Sequence, residues 1–154
     1  MEIDCGFTKE TKWFRYRAAA IIIENDCVLL ARNEKSDYYY SVGGGVHVGE
    51  TAEAAVKREV LEETGVDYEI DRLVIVHENF FRDQGKECHE VALYYLMKPR
   101  GSQELNSDSY TQGVRETMHW IPISDLDNHV AYPTFLKEEL PLLGSAIKHI
   151  VTQE

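Results

Sequence analysis

The sequence predicts an α/β protein in which a mixed β-sheet is covered on both faces. Three observations support this class. Short segments rich in Ile, Val and aromatic residues lie before and after one amphipathic helix, that helix stands near the middle of the chain, and the C-terminal part has helical patterning. Helical segments are therefore available for both faces of the sheet.

The first predicted elements form a hairpin followed by a short strand. Residues 17–24 are rich in Ile and are typical of a buried strand, residues 25–26 (Asn-Asp) supply a turn, and residues 27–31 return as its partner. Residues 38–42 predict another strand. We expect the glycines at residues 43–45 to be irregular, because glycine weakens a strand.

Residues 51–64 have the clearest helical pattern in the chain. Thr51 is suited to be the N-cap, and Gly65 is suited to end the helix. Three apolar residues spaced four apart give the helix a stripe for the core: Ala52, Val56 and Val60.

The second half of the chain predicts three more strands and two helices. Residues 73–81 and 90–97 are predicted strands joined by a polar segment at residues 82–89, and residues 98–115 are a predicted mobile loop. The remaining predicted elements are a strand at residues 117–123 and helices at residues 135–140 and 142–151, divided by Pro141.

Length and composition indicate one soluble domain spanning residues 1–154. Hydrophobic residues make up 44% and charged residues 28% of the chain, and the sequence contains no repeat, low-complexity tract or linker. The formal charge of −11 argues against nucleic acid as a partner, because binding to a phosphate backbone needs surplus Lys and Arg. A bound divalent cation reverses this argument locally, so a small polyphosphate substrate stays compatible.

The cysteines favour a reducing compartment. Cys5, Cys27 and Cys88 are odd in number and scattered, so we expect free thiols and a cytoplasmic location. The sequence has no CxxC pair, which argues against zinc, and its N-terminus does not resemble a signal peptide. The longest apolar run, residues 18–23, is too short to span a membrane.

Three glutamates of the predicted helix lie on one face. Glu59, Glu62 and Glu63 stand at i, i+3 and i+4, within an arc of about 100°. Their repulsion weakens the helix by a few tenths of a kcal/mol. A solvated acidic face is the ordinary interpretation, but Glu59 and Glu63 lie within about 60° of the direction of Val56, which points to the core. A half-covered carboxylate cluster suits Mg²⁺ or Mn²⁺, which prefer oxygen ligands.

The three consecutive glycines lie a few residues before this helix. By itself such a run usually marks a turn. Without side chains, however, Gly43, Gly44 and Gly45 would let a backbone carbonyl approach a metal ion or backbone amides approach a phosphate. The glycines and the carboxylates could therefore line one cleft.

The segment from Gly44 to Val66, GGVHVGETAEAAVKREVLEETGV, resembles the Nudix box, Gly-x5-Glu-x7-Arg-Glu-U-x-Glu-Glu-x-Gly-U with U aliphatic. All nine defined positions agree, and a chance match is on the order of 10⁻⁷. The matching residues are Gly44, Glu50, Arg58, Glu59, Val60, Glu62, Glu63, Gly65 and Val66. The resemblance implies the family's fold, an α/β/α sandwich with a mixed β-sheet, and its activity, hydrolysis of a phosphoanhydride bond in a nucleoside diphosphate linked to a group X.

The resemblance also implies roles for individual residues. Arg58 is expected to orient Glu59 through a charge-assisted bond, and the backbone at Gly44 and Gly45 to contact substrate. The residues expected to hold one or more Mg²⁺ (or Mn²⁺) ions are Gly43 through its carbonyl, Glu50, Glu59, Glu62 and Glu63.

Members of this family use different general bases, some of them outside the box. Glu116 lies four residues before Trp120 in a segment that resembles a late strand of the family, and Glu90 is the alternative. For each, an ordinary surface or hairpin carboxylate is the other interpretation. The sequence does not identify the general base, and Glu116 is the first candidate.

Substrate contacts outside the box have weaker signals. Residues 38–40 (Tyr-Tyr-Tyr) and 80–81 (Phe-Phe) could sandwich a nucleobase, although such aromatic residues are more often core. Arg17 and Arg32 are candidates for phosphate contacts, because their strands lead towards the glycines. An exposed strand arginine is the alternative for both.

The expected substrate is an NTP, a dNTP or a nucleotide sugar, because the sequence markers of narrower groups are missing. The ADP-ribose and dinucleoside polyphosphate groups tend to have Pro or Tyr fifteen or sixteen residues after the box, where this chain has Phe81 and Arg82. The alternative is a catalytically inactive Nudix domain that binds nucleotides or partners. Such domains usually lose a box acid, and this chain keeps them all. The sequence is also compatible with a homodimer.

Overall fold

A computed structural model describes residues 2–106, 109–111 and 113–153. In this part of the chain eleven strands join one sheet around one long helix, α1 (Ala52–Thr64). The strands are β1 (Gly6–Lys9), β2 (Lys12–Ile21), β3 (Ile23–Glu24), β4 (Cys27–Asn33), β5 (Tyr39–Gly45), β6 (Ile70–Asp83), β7 (Lys86–Met97), β8 (Ser109–Thr111), β9 (Val114–Pro122), β10 (Ala131–Tyr132) and β11 (Lys148–Gln153).

The sheet is mixed, as predicted. Its order is β11-β6-β7-β2-β5-β4-β9-β8, and β1, β3 and β10 are added beside β2, β4 and β5. Strand β2 at its centre pairs parallel with β7 and antiparallel with β5. Strand β4 joins β5 to β9, so residues far apart in sequence meet at one side of the sheet.

Helical segments cover both faces of the sheet, which confirms the predicted fold class. On one face, α1 buries its apolar stripe against residues of β2, β4 and β5. On the other face, a 3₁₀ helix (Ile123–Asn128), α2 (Leu136–Glu139) and a 3₁₀ turn (Leu140–Leu142) contribute to a second core. The described helices are all too short or too polar to cross a membrane.

Helix α1 begins and ends as its sequence predicts. The Thr51 hydroxyl accepts a hydrogen bond from the backbone N–H of Ala54 at 3.1 Å. Gly65 ends the helix in the left-handed conformation (φ 72°), and its N–H donates to the Leu61 carbonyl. The predicted stripe of Ala52, Val56 and Val60 is buried.

The prediction that residues 43–45 are irregular is wrong. These glycines are the end of β5, where Gly43, Gly44 and Gly45 pair with Ala19, Ala18 and Arg17 of β2. The low strand propensity of glycine is overridden here by backbone pairing in the middle of the sheet. The predicted hairpin is present, because Asn25 and Asp26 both have the positive φ of a tight turn.

The predicted helix at residues 142–151 is also wrong. Residues 148–153 form β11, which pairs parallel with β6. Half-buried Lys148, Ile150 and Thr152 alternate with exposed residues, a period of two that belongs to a strand. The run Ile-Val-Thr at residues 150–152 is β-branched, which favours this conformation.

Two polar segments carry more strand than predicted. Most of residues 82–89 extend β6 and β7, which are joined by a turn at residues 84–85. Within the predicted loop at residues 98–115, residues 109–111 form β8 and β9 begins at Val114, whereas residues 107, 108 and 112 lie outside the described residues. The cysteines are free thiols, as predicted.

Buried Glu24 anchors the start of this long connection to the first hairpin. Its carboxylate accepts hydrogen bonds from the backbone N–H groups of Arg100 (2.7 Å) and Gly101 (2.9 Å) and from the hydroxyl of Tyr68 (2.8 Å). Burial alone would raise the pKa of Glu24, but the three donors outweigh it and the pKa is lowered. The ionised carboxylate therefore fixes the connection.

We expect Glu24→Gln to lower the free energy of unfolding by about 1–3 kcal/mol, because one amide N–H would face the donors. Urea unfolding at neutral pH measures the loss. The pKa of Glu24 is lower in the folded than in the unfolded protein, so its contribution is present above the unfolded pKa of about 4.3 and disappears as the pH falls through the folded pKa.

The matched control is Glu104→Gln, since Glu104 is an exposed acid in the same connection. It should change the unfolding free energy by less than about 0.5 kcal/mol. Equal stability of the two variants at neutral pH would contradict an anchoring role for Glu24.

Candidate active site

Two carboxylates of α1 rest directly on the glycine end of β5. The N–H of Gly43 donates a hydrogen bond of 2.9 Å to Oε2 of Glu63. At Gly44, a Cβ atom would lie 2.4 Å from Oε1 of Glu59, closer than atoms can approach. The carboxylate of Glu59 therefore occupies space that exists because Gly44 has no side chain, and Glu63 is bonded to the backbone of the same strand.

Arg58 holds the outer carboxylates of the site. It donates two hydrogen bonds to Glu50 (2.9 and 3.0 Å), one to Glu59 (2.8 Å) and one to the carbonyl of Gly45 (3.1 Å), and it lies 3.5 Å from Glu62. The predicted bond to Glu59 is thus present. The two-pronged grip, however, is on Glu50, whose pKa it lowers to about 2.

Glu116 joins this group from a different element. It lies on β9, one strand beyond β4, and is 3% exposed. Burial, followed by the charges of Glu116 and Glu59, raises the pKa of Glu63 well above its ordinary value. Burial is also the main cause that raises the pKa of Glu59, and Glu62 adds to it. Like charges from helix and sheet are thus held together in a poorly hydrated place.

The two candidate acids outside the box have different partners in the structure. Glu116 is a neighbour of Glu63, and its Oε2 accepts a hydrogen bond of 2.5 Å from the hydroxyl of Tyr40 in β5. Glu90, on β7, is ion-paired with Arg15 of β2. The geometry therefore favours Glu116 over Glu90 as the additional acid. The sequence does not indicate its hydrogen bond with Tyr40, since that contact depends on the pairing of β9 with β4 and of β4 with β5.

The two arginines expected to bind phosphate make their contacts within the protein. Arg17 is buried, and its guanidinium donates to the hydroxyl (3.0 Å) and the carbonyl (2.8 Å) of Ser41. Arg32 donates to the carbonyl of Ser36 and lies 5.4 Å from the ring centre of Tyr39. These contacts do not support phosphate binding by Arg17 and Arg32, which therefore stays a prediction.

The predicted aromatic sandwich is not assembled, because its two halves lie apart. The exposed ring of Tyr38 contacts Tyr132 with 5.4 Å between ring centres and Tyr40 with 6.2 Å. Phe80 instead lies against His89 on β7. The rings of Tyr38 and Tyr132 are thus linked to Glu116 through the ring and hydroxyl of Tyr40.

The residues of this site fit a divalent cation by their chemistry. Within the described ranges, no three His, Cys, Asp or Glu side chains are arranged closely enough to hold a metal as they stand. The gathered donors are nevertheless all carboxylates or backbone oxygens, and buried like charges such as Glu63 and Glu116 are stabilised by a cation. The observed contact of Gly43 is made through its N–H, and the predicted role of its carbonyl stays a prediction.

Comparison with known proteins gives consistent matches. A family model described as the NUDIX domain matches residues 13–142. The chain is 32% identical over 114 residues to a MutT-like protein of Streptomyces ambofaciens, covering 73% of this chain and 67% of that protein. It is also 32% identical over 89 residues to a putative mutator protein MutT4 of Mycobacterium tuberculosis, covering 58% of this chain but 34% of that longer protein.

Among solved structures, the crystal structure of a MutT NUDIX hydrolase from Burkholderia pseudomallei is similar, with a TM-score of 0.65 and 26% sequence identity. The match covers 82% of this chain and 96% of that one. The similarity therefore extends over nearly the whole of the Burkholderia protein.

We expect Arg58→Lys to lower the free energy of unfolding by about 1–3 kcal/mol although the charge is kept, because lysine cannot grip Glu50 with two prongs while also contacting Glu59 and Gly45. Thermal and urea unfolding measure the change. Arg72→Lys is the control, because Arg72 contacts Asp71 and the Gly144 carbonyl at the surface. Equal unfolding of both variants would show that the fork of Arg58 adds nothing to stability.

Proposed function

Because this chain belongs to the Nudix hydrolase family, we propose that it hydrolyses a pyrophosphate bond in a nucleoside diphosphate-X substrate with Mg²⁺ or Mn²⁺ as its cofactor. The product would be a nucleoside monophosphate or a similar nucleotide. The observation that carries this proposal is the gathering of the box carboxylates Glu59 and Glu63 on the glycine strand, with Glu116 beside them.

The proposed metal ligands are Glu59, Glu62 and Glu63, with Glu50 and the backbone of Gly43 at the edge of the site. A divalent cation, when bound, supplies positive charge for the phosphate oxygens and acidifies water. Arg58 keeps Glu50 and Glu59 in place through three hydrogen bonds. The protein thus fixes its own carboxylates before substrate binds, which is the kind of preorganisation that lowers a barrier.

The proposed reaction is an in-line displacement at phosphorus. The oxygen of a water molecule forms a bond to phosphorus while the bond from phosphorus to the bridging oxygen breaks, and the leaving phosphate takes the electron pair. Glu116 accepts the proton of the attacking water, since it is a buried acid that lies beside Glu63 but comes from a different element than the box helix.

The proposed substrates are small nucleotides, namely an NTP, a dNTP or a nucleotide sugar. The exposed rings of Tyr38 and Tyr132 offer flat surfaces for a base on the side of the sheet that carries Tyr40 and Glu116. A contact of the backbone at Gly44 and Gly45 with a substrate phosphate stays part of the proposal, although the Glu59 carboxylate fills the space beside Gly44. The net charge of −11 disfavours nucleic acid as a partner.

Activity should require a divalent cation, because carboxylates alone cannot neutralise a polyphosphate. The experiment is a panel of nucleoside triphosphates and nucleotide sugars with Mg²⁺ or Mn²⁺, with products identified by chromatography. Excess EDTA should abolish turnover, and added metal should restore it. Full turnover in EDTA, with contaminating metal removed, would refute the cofactor. Nucleotide binding without any product would instead favour an inactive binding module.

We expect Glu63→Gln and Glu62→Gln each to reduce kcat by about 10²-fold or more, the range for groups that act in the transition state. Glu63→Gln should leave the free energy of unfolding unchanged or slightly higher, because it removes a charge buried beside Glu116 and Glu59. Glu53→Gln, at an exposed position in the first turn of the same helix, should keep the wild-type rate. A Gln variant with wild-type kcat would remove that glutamate from the proposed metal ligands.

Glu116→Gln should reduce kcat by about 10²-fold or more, as expected for a lost general base. Glu90→Gln should reduce it far less, because Glu90 is occupied by Arg15. Steady-state kinetics on the best substrate of the panel compares the two variants. Normal turnover of Glu116→Gln would leave the box acids to supply the base.

A further inference from the structure

We infer that Tyr40 is a positioning residue, whose hydroxyl holds the carboxylate of Glu116 towards Glu63 and the helix. The inference rests on the proposed function, in which Glu116 accepts a proton. It assigns to Tyr40 a task that neither the box nor the sequence pattern indicates.

The contact is short, and both of its ends are fixed. The hydroxyl of Tyr40 donates to Oε2 of Glu116 at 2.5 Å. The backbone of Tyr40 is paired on one side with Ala31 of β4 and on the other with Tyr132 of β10, so the ring starts from a rigid strand. Glu116 lies on β9, which is paired with the same strand β4. The donor and the acceptor are thus held by one continuous piece of sheet.

The structure orients its acids with two different kinds of donor. The outer carboxylates, Glu50 and Glu59, are bound by the charged guanidinium of Arg58. The inner carboxylate, Glu116, is bound by a neutral phenol. A guanidinium brings positive charge as well as direction, whereas a phenol restricts the orientation of the Glu116 carboxylate and adds no charge.

Tyr40 stays a donor throughout the neutral pH range. Burial, followed by the hydrogen bond and the charge of Glu116, raises the pKa of Tyr40 above its ordinary value. The hydroxyl therefore keeps its proton. The hydroxyl is one of the contacts that restrict the last torsion of Glu116, which is broad and has weak intrinsic preferences. Loss of the hydroxyl would therefore weaken the alignment of the carboxylate.

The test variant is Tyr40→Phe, which keeps the ring and removes the hydroxyl. We expect kcat to fall roughly tenfold, as for a misplaced catalytic group, with KM changed less than about threefold. The Mn²⁺ concentration for half-maximal activity should rise several-fold, because the carboxylate cluster is less ordered. A purely structural role of the hydroxyl would not shift this metal dependence.

The matched control is Tyr68→Phe. It removes a hydrogen bond of the same type, from a tyrosine hydroxyl to buried Glu24, at a place where the bond fixes a connection. This variant should lower the melting temperature and keep the wild-type kcat and metal dependence. If Tyr40→Phe behaved in the same way, with lower stability but normal kinetics, the inference would be overturned.

A double variant separates the inference from the proposed function. Because Tyr40 acts through Glu116, Tyr40→Phe should have no further effect on kcat in the Glu116→Gln protein. Multiplied losses would show that Tyr40 acts independently and would overturn the inference. A large loss in Glu116→Gln with normal kcat and metal dependence in Tyr40→Phe would refute the role of Tyr40 alone. Normal turnover of Glu116→Gln would refute the proposed base, and the inference with it.

Discussion

The contact between helix α1 and the glycine end of β5 is the constraint on which the site depends. Glu59 and Glu63 lie so close to the strand that a side chain at Gly44 would overlap with a carboxylate, and Glu63 is bonded to the Gly43 N–H. The position of the helix is in turn fixed by its caps and by its buried stripe. Packing of the core therefore sets the position of charged groups that would otherwise remain in solvent.

This arrangement lowers the stability of the folded protein and brings the acids of the site together. Buried carboxylates that repel each other raise the free energy of the folded protein, and their raised pKa values are the sign of it. Arg58 relieves the repulsion at the outer side, where Glu50 and Glu59 lie. The inner side, with Glu63 and Glu116, keeps its strain. Such local costs are typical of functional sites.

The sequence predicted the parts of this protein whose causes are local. The caps and stripe of α1, the first hairpin and the two-sided cover of the sheet can be recognised from neighbouring residues. The conformation of residues 43–45 could not, because pairing with β2 in the middle of the sheet decides it. The final segment was mistaken for a helix since its alternation extends over only six residues.

The same distinction applies to the site. Glu59, Glu62 and Glu63 are brought together by helical spacing, so their shared face was predictable. The choice between Glu116 and Glu90 depends on strand pairing. Glu116 lies on β9 beside β4, whereas Glu90 forms an ion pair with Arg15 of β2, and sequence distance predicts neither arrangement. The hydrogen bond between Tyr40 and Glu116 depends on two strand pairings, of β4 with β5 and of β4 with β9. The sequence alone therefore does not indicate it.

The site draws on two separate parts of the chain. One continuous stretch, from the glycines to the end of α1, contains the acids of the helix. Glu116 instead lies on β9 and is a neighbour of Glu63 in that helix. A protein built in this way can be altered by exchange of one part. Substitutions along β9 change the acid that the sheet supplies and leave the acids of the helix as they are. The acids of the helix and the acid of the sheet can thus vary independently of each other.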